Sequence, residues 1–315
     1  MKQTTPSIGT IIREFRKSKG ITQFELADGI CSKDYIYAIE KGKYDPSPYI
    51  LERLSSKLGV DLLDYRNELI KHNSIETHNM YLQLNNYLYT DSTQELINFI
   101  PICESNPDFD SGDLYIFLLY CKACIAFDNS DFDTCLDYCQ QGLNTLGLDL
   151  FNTENILFNL SNEAVLIIRL YAIALHSLNR ITEAKKIYLL IYKHYKFVLN
   201  RPIYELNKTI HFQVVTFLII SYNLALIYTD EQNYKKAEPI IIKSLELIKK
   251  TKSVHMMVPH LLCYVEICYH TDRLTKAQEM FDDIPIILKY CGEKEHYEDF
   301  LTQYEQYLPL LKLNK

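Results

Sequence analysis

The placement of glycine divides this chain into two kinds of structure. Five of its nine glycines, Gly9, Gly20, Gly29, Gly42 and Gly59, fall in the first 59 residues, and none occurs between Gly147 and Gly292. A glycine inside a helix costs about 1 kcal/mol relative to alanine. The first part is therefore expected to be short helices joined by tight turns, and the later part long helices. Strand signals are poor, since Asn-Gly is absent and period-two alternation is not sustained. The expected class is all-α. At 315 residues and 48% hydrophobic, the chain has material for two or three domains with sizeable cores.

Five helices are expected in the first part. Ser7 caps a helix to about Lys19, with Ile8, Ile11, Ile12 and Phe15 inward and Gly20 ending it. Thr22 caps a second helix, with Glu25 as its capping-box partner. Ser32 caps a third that carries Tyr35, Ile36 and Ile39 and stops at Gly42. Ser47, followed by Pro48 at the first helical position, opens a fourth that runs to Gly59. A fifth starts at Asp61 and ends near Lys71, and His72 to Ser74 is the expected hinge.

Two short helices about a tight turn can place the second in a major groove. Thr22 to Ala27 reads as the positioning helix, Gly29 to Ser32 as the turn, and Lys33, Asp34, Tyr37 and Ala38 as outward positions of the recognition helix. Gln23 is placed to reach a phosphate or a base edge, and Lys41 and Lys43 to hold phosphates. The candidate DNA-contacting set is Arg13, Thr22, Gln23, Ser32, Lys33, Asp34, Tyr35, Tyr37, Lys41 and Lys43. Charge agrees: residues 1–60 carry a balance of +3, against -10 for the remainder.

Beyond Ser74 a pattern repeats: an apolar helix, a short polar turn, then a helix with a small residue facing the first. The small anchors Cys135, Ala184, Ala237 and Ala277 are 49, 53 and 40 residues apart, longer than the 34 of a tetratricopeptide repeat. The third copy is clearest: Tyr222-Asn-Leu-Ala225 to Tyr228, then Ala237 and Ile241. Ala123, Ala172 and Val265 take the place of Ala225 in the other copies. Pro239 is expected near a first turn, residues 75–100 form a weaker pair, and Phe300 to Leu313 reads as a terminal capping helix. By repeat phase Tyr120, Phe127, Arg169, His176, Tyr222, Thr229, Glu266 and Tyr269 face inward, with Asn223 beside them.

The first 65 residues closely resemble the phage-repressor-type helix-turn-helix domains. The match runs through Ile12-Arg-x-x-Arg16, Gly20-x-Thr-Gln-x-x-Leu26-Ala, Ser32-x-x-Tyr-Ile36, Ile39-Glu40-x-Gly42, Pro46-Ser47 and Leu58-Gly59-Val. By that resemblance Glu40 is structural. Gly29-Ile-Cys-Ser followed by Tyr-Ile is similar to the peptide-pheromone regulators of the Rgg/Rap/NprR/PlcR/PrgX group, which join this domain to tetratricopeptide repeats. The resemblance implies a five-helix DNA-binding domain over 1–71 and a right-handed superhelix of helical hairpins over 72–315. It implies a homodimer on an inverted-repeat operator, and a short linear signalling peptide bound on the concave face that changes dimer geometry. Inner-helix asparagines commonly grip the peptide backbone in that group. Asn223 matches such a place, whereas Cys121, Leu170 and Cys263 stand at the equivalents. The implied peptide set is Asn223, Tyr222, Arg169, His176, Tyr120, Glu266 and Tyr269, with Arg169 suited to a carboxylate.

Other classes find little support. No Walker loop, Gly-x-Gly-x-x-Gly or nucleophile elbow is present, so no enzyme and no cofactor is expected. Cys121-x-x-Cys124 with Cys135-x-x-x-Cys139 invites a zinc reading, but Cys135 stands where alanine stands in other copies, so no metal is expected. Nine irregularly spaced cysteines and no export signal fit a reducing cytoplasm. No apolar run reaches about 18 residues, so no membrane span is expected. The longest candidate, Val214 to Ile227, is interrupted by Thr216, Ser221 and Asn223. An alternative is a repressor whose repeats bind a protein partner.

Overall fold

The computed structural model describes residues 7–72, 74–90, 92–151, 160–198, 208–253 and 256–291, and every regular element among them is helical. The chain divides into two compact units between Ile125 and Ala126. The first unit opens with α1 (Ile8–Ser18), α2 (Gln23–Ala27), α3 (Lys33–Glu40), α4 (Pro48–Leu58) and α5 (Leu62–His72). Their apolar stripes meet in one core that includes Ile12, Leu26, Ile36, Ile39, Leu54 and Leu58, all fully buried. Each such side chain contributes about 2 kcal/mol on burial. α1 and α3 approach so closely at Gly9 that a Cβ there would lie 1.8 Å from the Ile39 carbonyl oxygen.

The capping expectations hold for α2, α3 and α4. Thr22 and Glu25 close a reciprocal box, Ser32 accepts from Tyr35 N–H, and Ser47 accepts from Ile50 N–H with Pro48 behind it. Gly20, Gly42 and Gly59 take left-handed backbone at φ 69°, 68° and 64°, as the turns require. Ser7 differs. It precedes α1 but makes no side-chain capping bond, and its hydroxyl lies against Gly42 instead.

The weaker pair is α6 (Ile75–Tyr89) and α7 (Thr93–Glu104), packed on each other. Ser74, placed in the expected hinge, is the N-cap of α6. α8 (Gly112–Asp128) follows and carries the division between units.

In the second unit α9 (Phe132–Thr145), α10 (Asn162–Ser177), α11 (Ile181–Val198), α12 (Lys208–Asp230), α13 (Tyr234–Thr251), α14 (Met257–His270) and α15 (Leu274–Cys291) follow in order. Each packs on the next, and α12 also touches α10 and α14. Thus α10, α12 and α14 share an inner layer, and the others lie outside it. The anchors Cys135, Ala184, Ala237 and Ala277 are all fully buried, as are Ala123, Ala172 and Ala225. The hairpin turns share one geometry. Ser130, Asn179, Gln232 and Asp272, each five residues before its anchor, have φ of 59°, 59°, 55° and 58°. The next N–H in each case reaches back to the carbonyl of Ala126, Leu175, Tyr228 or Cys268. This is the Schellman ending of a helix, made without glycine.

Three expectations meet the structure differently. Pro239 lies inside α13, past its first turn, on an exposed face where the missing N–H is tolerated. The Phe212–Asp230 stretch of α12 is long and apolar enough to cross a membrane, despite its interrupting polar residues. It is 61% buried here, packed among α10, α11, α13 and α14, as a core helix of the repeat. Phe300 to Leu313 lies outside the described residues.

Candidate nucleic-acid interface and inner repeat face

α3 is held from behind. Glu40 at its end is buried, and its two carboxylate oxygens accept from Arg16 Nε at 2.5 Å and Nη2 at 3.0 Å. Arg16 Nη1 also donates to the Ile21 carbonyl at 2.9 Å. Burial alone would push the Glu40 carboxyl up. The hydrogen bonds from Arg16 and Gln23, with the charges of Arg16 and Arg13, outweigh it and hold the group below its ordinary range. The pair joins α1 to α3, and Ile36 and Ile39 fill the core beside it. Glu40 is therefore structural, as the resemblance implied.

The solvent face of α3 carries Lys33, Asp34 and Tyr37, all exposed, with Tyr37 at 46%. Lys41 Nζ lies 5.9 Å from the Tyr37 ring centre. Arg13 and Lys43 are exposed as well. Ala38 departs from expectation. It is buried, and the chain returning through Gly42 hydrogen-bonds Lys43 N–H to its carbonyl. Tyr35 is half-buried against the core, its ring 6.0 Å from that of Tyr44. Gln23 Nε2 donates to Glu40 at 2.8 Å, so one edge of its amide is already engaged and its carbonyl oxygen is the freer end. Thr22 and Ser32 use their hydroxyl oxygens as caps. One contributor was invisible in the local pattern: Lys57 of α4 donates to the Glu25 and Asp28 carbonyls and closes the end of α2.

On the inner layer the structure brings some of the expected residues together. His176 of α10 meets Asn223 and Asp230 of α12, and Asp230 acts on Glu266 of α14. Burial lowers the His176 pKa, and Asp230 and Asn223 offset this only in part. Asn223 Nδ2 donates to the Ile219 carbonyl at 2.9 Å within its own helix. Tyr222 packs its ring 5.6 Å from that of buried His260, and Tyr269 lies 5.2 Å from His270. Arg169 is half-buried on α10 near Tyr195, whose hydroxyl burial pushes up to about 12. Thr229 is buried and bonds the Leu226 carbonyl, so it presents nothing. Tyr120 belongs to the first unit, where its ring stacks on that of Phe117 at 6.2 Å. Asp230 was not anticipated, although it stands seven residues after Asn223 on the same helical face.

Residues 12–65 match the family described as helix-turn-helix. A protein of Methanothermobacter thermautotrophicus, described as an uncharacterized HTH-type transcriptional regulator, is 45% identical over 56 residues. These make up 18% of this chain and 81% of that protein. PlcR of Bacillus thuringiensis, solved with the peptide PapR7 and DNA, shares the fold over 98% of this chain and 99% of its own, with a TM-score of 0.67 and 16% identity. ComR from S. thermophilus, solved with DNA and its signalling peptide ComS, matches over 95% of this chain and 99% of its own, at TM-score 0.55 and 15% identity. A putative transcriptional regulator from Listeria monocytogenes matches over 97% and 98%, at 0.56 and 16%.

Proposed function

The chain belongs to the HTH-type transcriptional regulators, and from that premise we propose that it is a cytoplasmic, peptide-responsive regulator that binds an inverted-repeat operator as a homodimer. Residues 1–71 read the DNA and residues 72–315 sense the ligand. The observation that carries the DNA half is the two-sidedness of α3. Ile36, Ile39 and Glu40 are locked inside while Lys33, Asp34 and Tyr37 are offered outward. Lys33 and Tyr37 read base edges, and Arg13, Lys41 and Lys43 hold phosphates. The ligand half is supported by the fold shared with PlcR and ComR, both solved with peptides. Asn223 lies on the inner layer among His176, Asp230 and Glu266, where an extended peptide's unpaired amides would find partners.

The test is fluorescence anisotropy with the gene's own upstream duplex against a scrambled duplex. The wild type is expected to prefer the first, and Lys33→Ala to weaken that binding by about tenfold. Equal affinity for both duplexes would overturn the DNA half. For the ligand half, synthetic peptides from short reading frames beside the gene are added, and the Kd or the oligomeric state is expected to change. No change with any of them, together with capture of a stable folded protein, would instead favour a protein partner.

A further inference from the structure

The outward side of α3 is a line of residues one helical turn apart: Lys33, Tyr37 and, at the cap, Lys41, all exposed. Tyr37 stands in the middle of that line. Its ring is 46% exposed, although Ile36 and Ala38 on either side of it in the chain are buried. The backbone beneath the ring is fixed. Ser32 caps the start of α3, Ile36 and Ile39 are fully buried in the core, and Glu40 is tied to Arg16. One side of the ring is already taken, since Lys41 Nζ lies 5.9 Å from its centre. Phe24, Tyr44 and Tyr49, the other exposed rings among the described residues of this helix-turn-helix, lie outside α3. Tyr37 is thus an apolar surface held at the centre of the helix that the proposed reading places in the major groove.

The chemistry of that surface narrows what it can read. A phenol carries a single hydroxyl and cannot make the paired hydrogen bonds by which Arg reads guanine or Asn and Gln read adenine. What it offers is a flat hydrocarbon face. The one apolar group that unmodified base pairs present in the major groove is the C5 methyl of thymine. A ring left in water gains by covering it. We propose that Tyr37 makes the operator thymine-dependent, its ring packing on the C5 methyl of one thymine in each half-site, between the contacts of Lys33 and Lys41. The inference rests on the reading of α3 as the helix that enters the groove.

The experiment titrates full-length protein on its own upstream duplex with thymines replaced, one position at a time on both strands, by deoxyuridine. That replacement removes the C5 methyl and keeps every hydrogen-bonding group of the base. The wild type is expected to lose about fourfold in affinity at the thymine it covers, the worth of one buried methyl group. Tyr37→Ala is expected to bind the thymine duplex more weakly and to be indifferent to deoxyuridine at that position. Tyr37→Phe, which keeps the ring and removes the hydroxyl, is expected to retain the fourfold difference. A ring that only props Lys41 against a phosphate would, on removal, weaken every duplex alike and leave the methyl effect in place. Deoxyuridine tolerated at every position by a wild type that still prefers its upstream duplex to a scrambled one would overturn the proposal and leave DNA reading intact. So would Tyr37→Ala still discriminating at the same position, or Tyr37→Phe losing the discrimination, since another side chain or the hydroxyl would then be the reader. Equal affinity of the wild type for upstream and scrambled duplexes would overturn the reading of α3 itself.

Discussion

Glu40 sits where an apolar side chain would avoid any desolvation, and what it does there depends on its partners. Its side chain is 2% exposed and that of Arg16 11%. Removing one member of such a pair strands the other, at a cost of about 3–5 kcal/mol, whereas replacing both with apolar groups is often neutral. Arg16→Met is therefore expected to lower the denaturant midpoint of the first unit sharply, and Arg16→Met with Glu40→Leu to recover much of the loss. The pH dependence has a definite sign. Because the folded Glu40 pKa is depressed, its contribution is complete above the unfolded value, roughly 4.3, and is lost as pH falls through the folded one. Stability measured from pH 7 down to pH 3 is expected to fall in the wild type, and to fall less steeply in Glu40→Gln. An unchanged acid slope in that variant would show that other carboxylates dominate. Gly9→Ala belongs to the same scale. The added methyl would run into the Ile39 carbonyl, a backbone atom that cannot step aside, so a loss of about 3 kcal/mol is expected.

Capped helices of the first unit were legible because capping chemistry is local: Thr22 and Glu25, Ser32 and Tyr35, and Ser47 and Pro48 each act within three residues. The closing of α2 by Lys57 was not legible, since its partners lie about thirty residues away in the chain. The repeat anchors were legible because close helix packing demands small residues, and Ala184, Ala237 and Ala277 satisfy it in one register. The turns before them were not, because the left-handed position is filled by Ser130, Asn179, Gln232 and Asp272 rather than glycine. Position on the inner layer was readable for Asn223 from phase, but its bond to the Ile219 carbonyl depends on rotamer and was not. The turns carry a prediction. An L-residue in this backbone region is strained by about 1–2 kcal/mol, part of which glycine forfeits through unfolded-chain entropy. Gln232→Gly is thus expected to stabilise the second unit by about 0.5–1 kcal/mol, seen as a melting temperature higher by a few degrees. Gln232→Ala, which removes the side chain and keeps the strain, should show no such gain.

At the scale of the whole molecule, residues 1–60 carry +3 and the remainder -10, so on the proposed reading the module binds a polyanion against the repulsion of the rest of its own chain. On the proposed reading the phosphate contacts of each module are Arg13, Lys41 and Lys43, all of them exposed. Each phosphate neutralised releases counterions and contributes about -0.9 to the slope of log K against log salt. A protomer using all three would therefore give a slope near -3 by itself, and a symmetric dimer about twice that. Substituting one of these residues removes one contact from a monomer and two from a dimer. Lys43→Ala is accordingly expected to make the slope shallower by about 2 if two copies bind one operator, and by about 1 if a single copy does. Anisotropy titrations of the full-length protein on its upstream duplex, from 50 to 300 mM salt, measure this directly. A shift near 1, with one protomer per duplex by analytical ultracentrifugation, would contradict the dimer. No shift would remove Lys43 from the phosphate contacts while leaving the base-reading face of α3 in place.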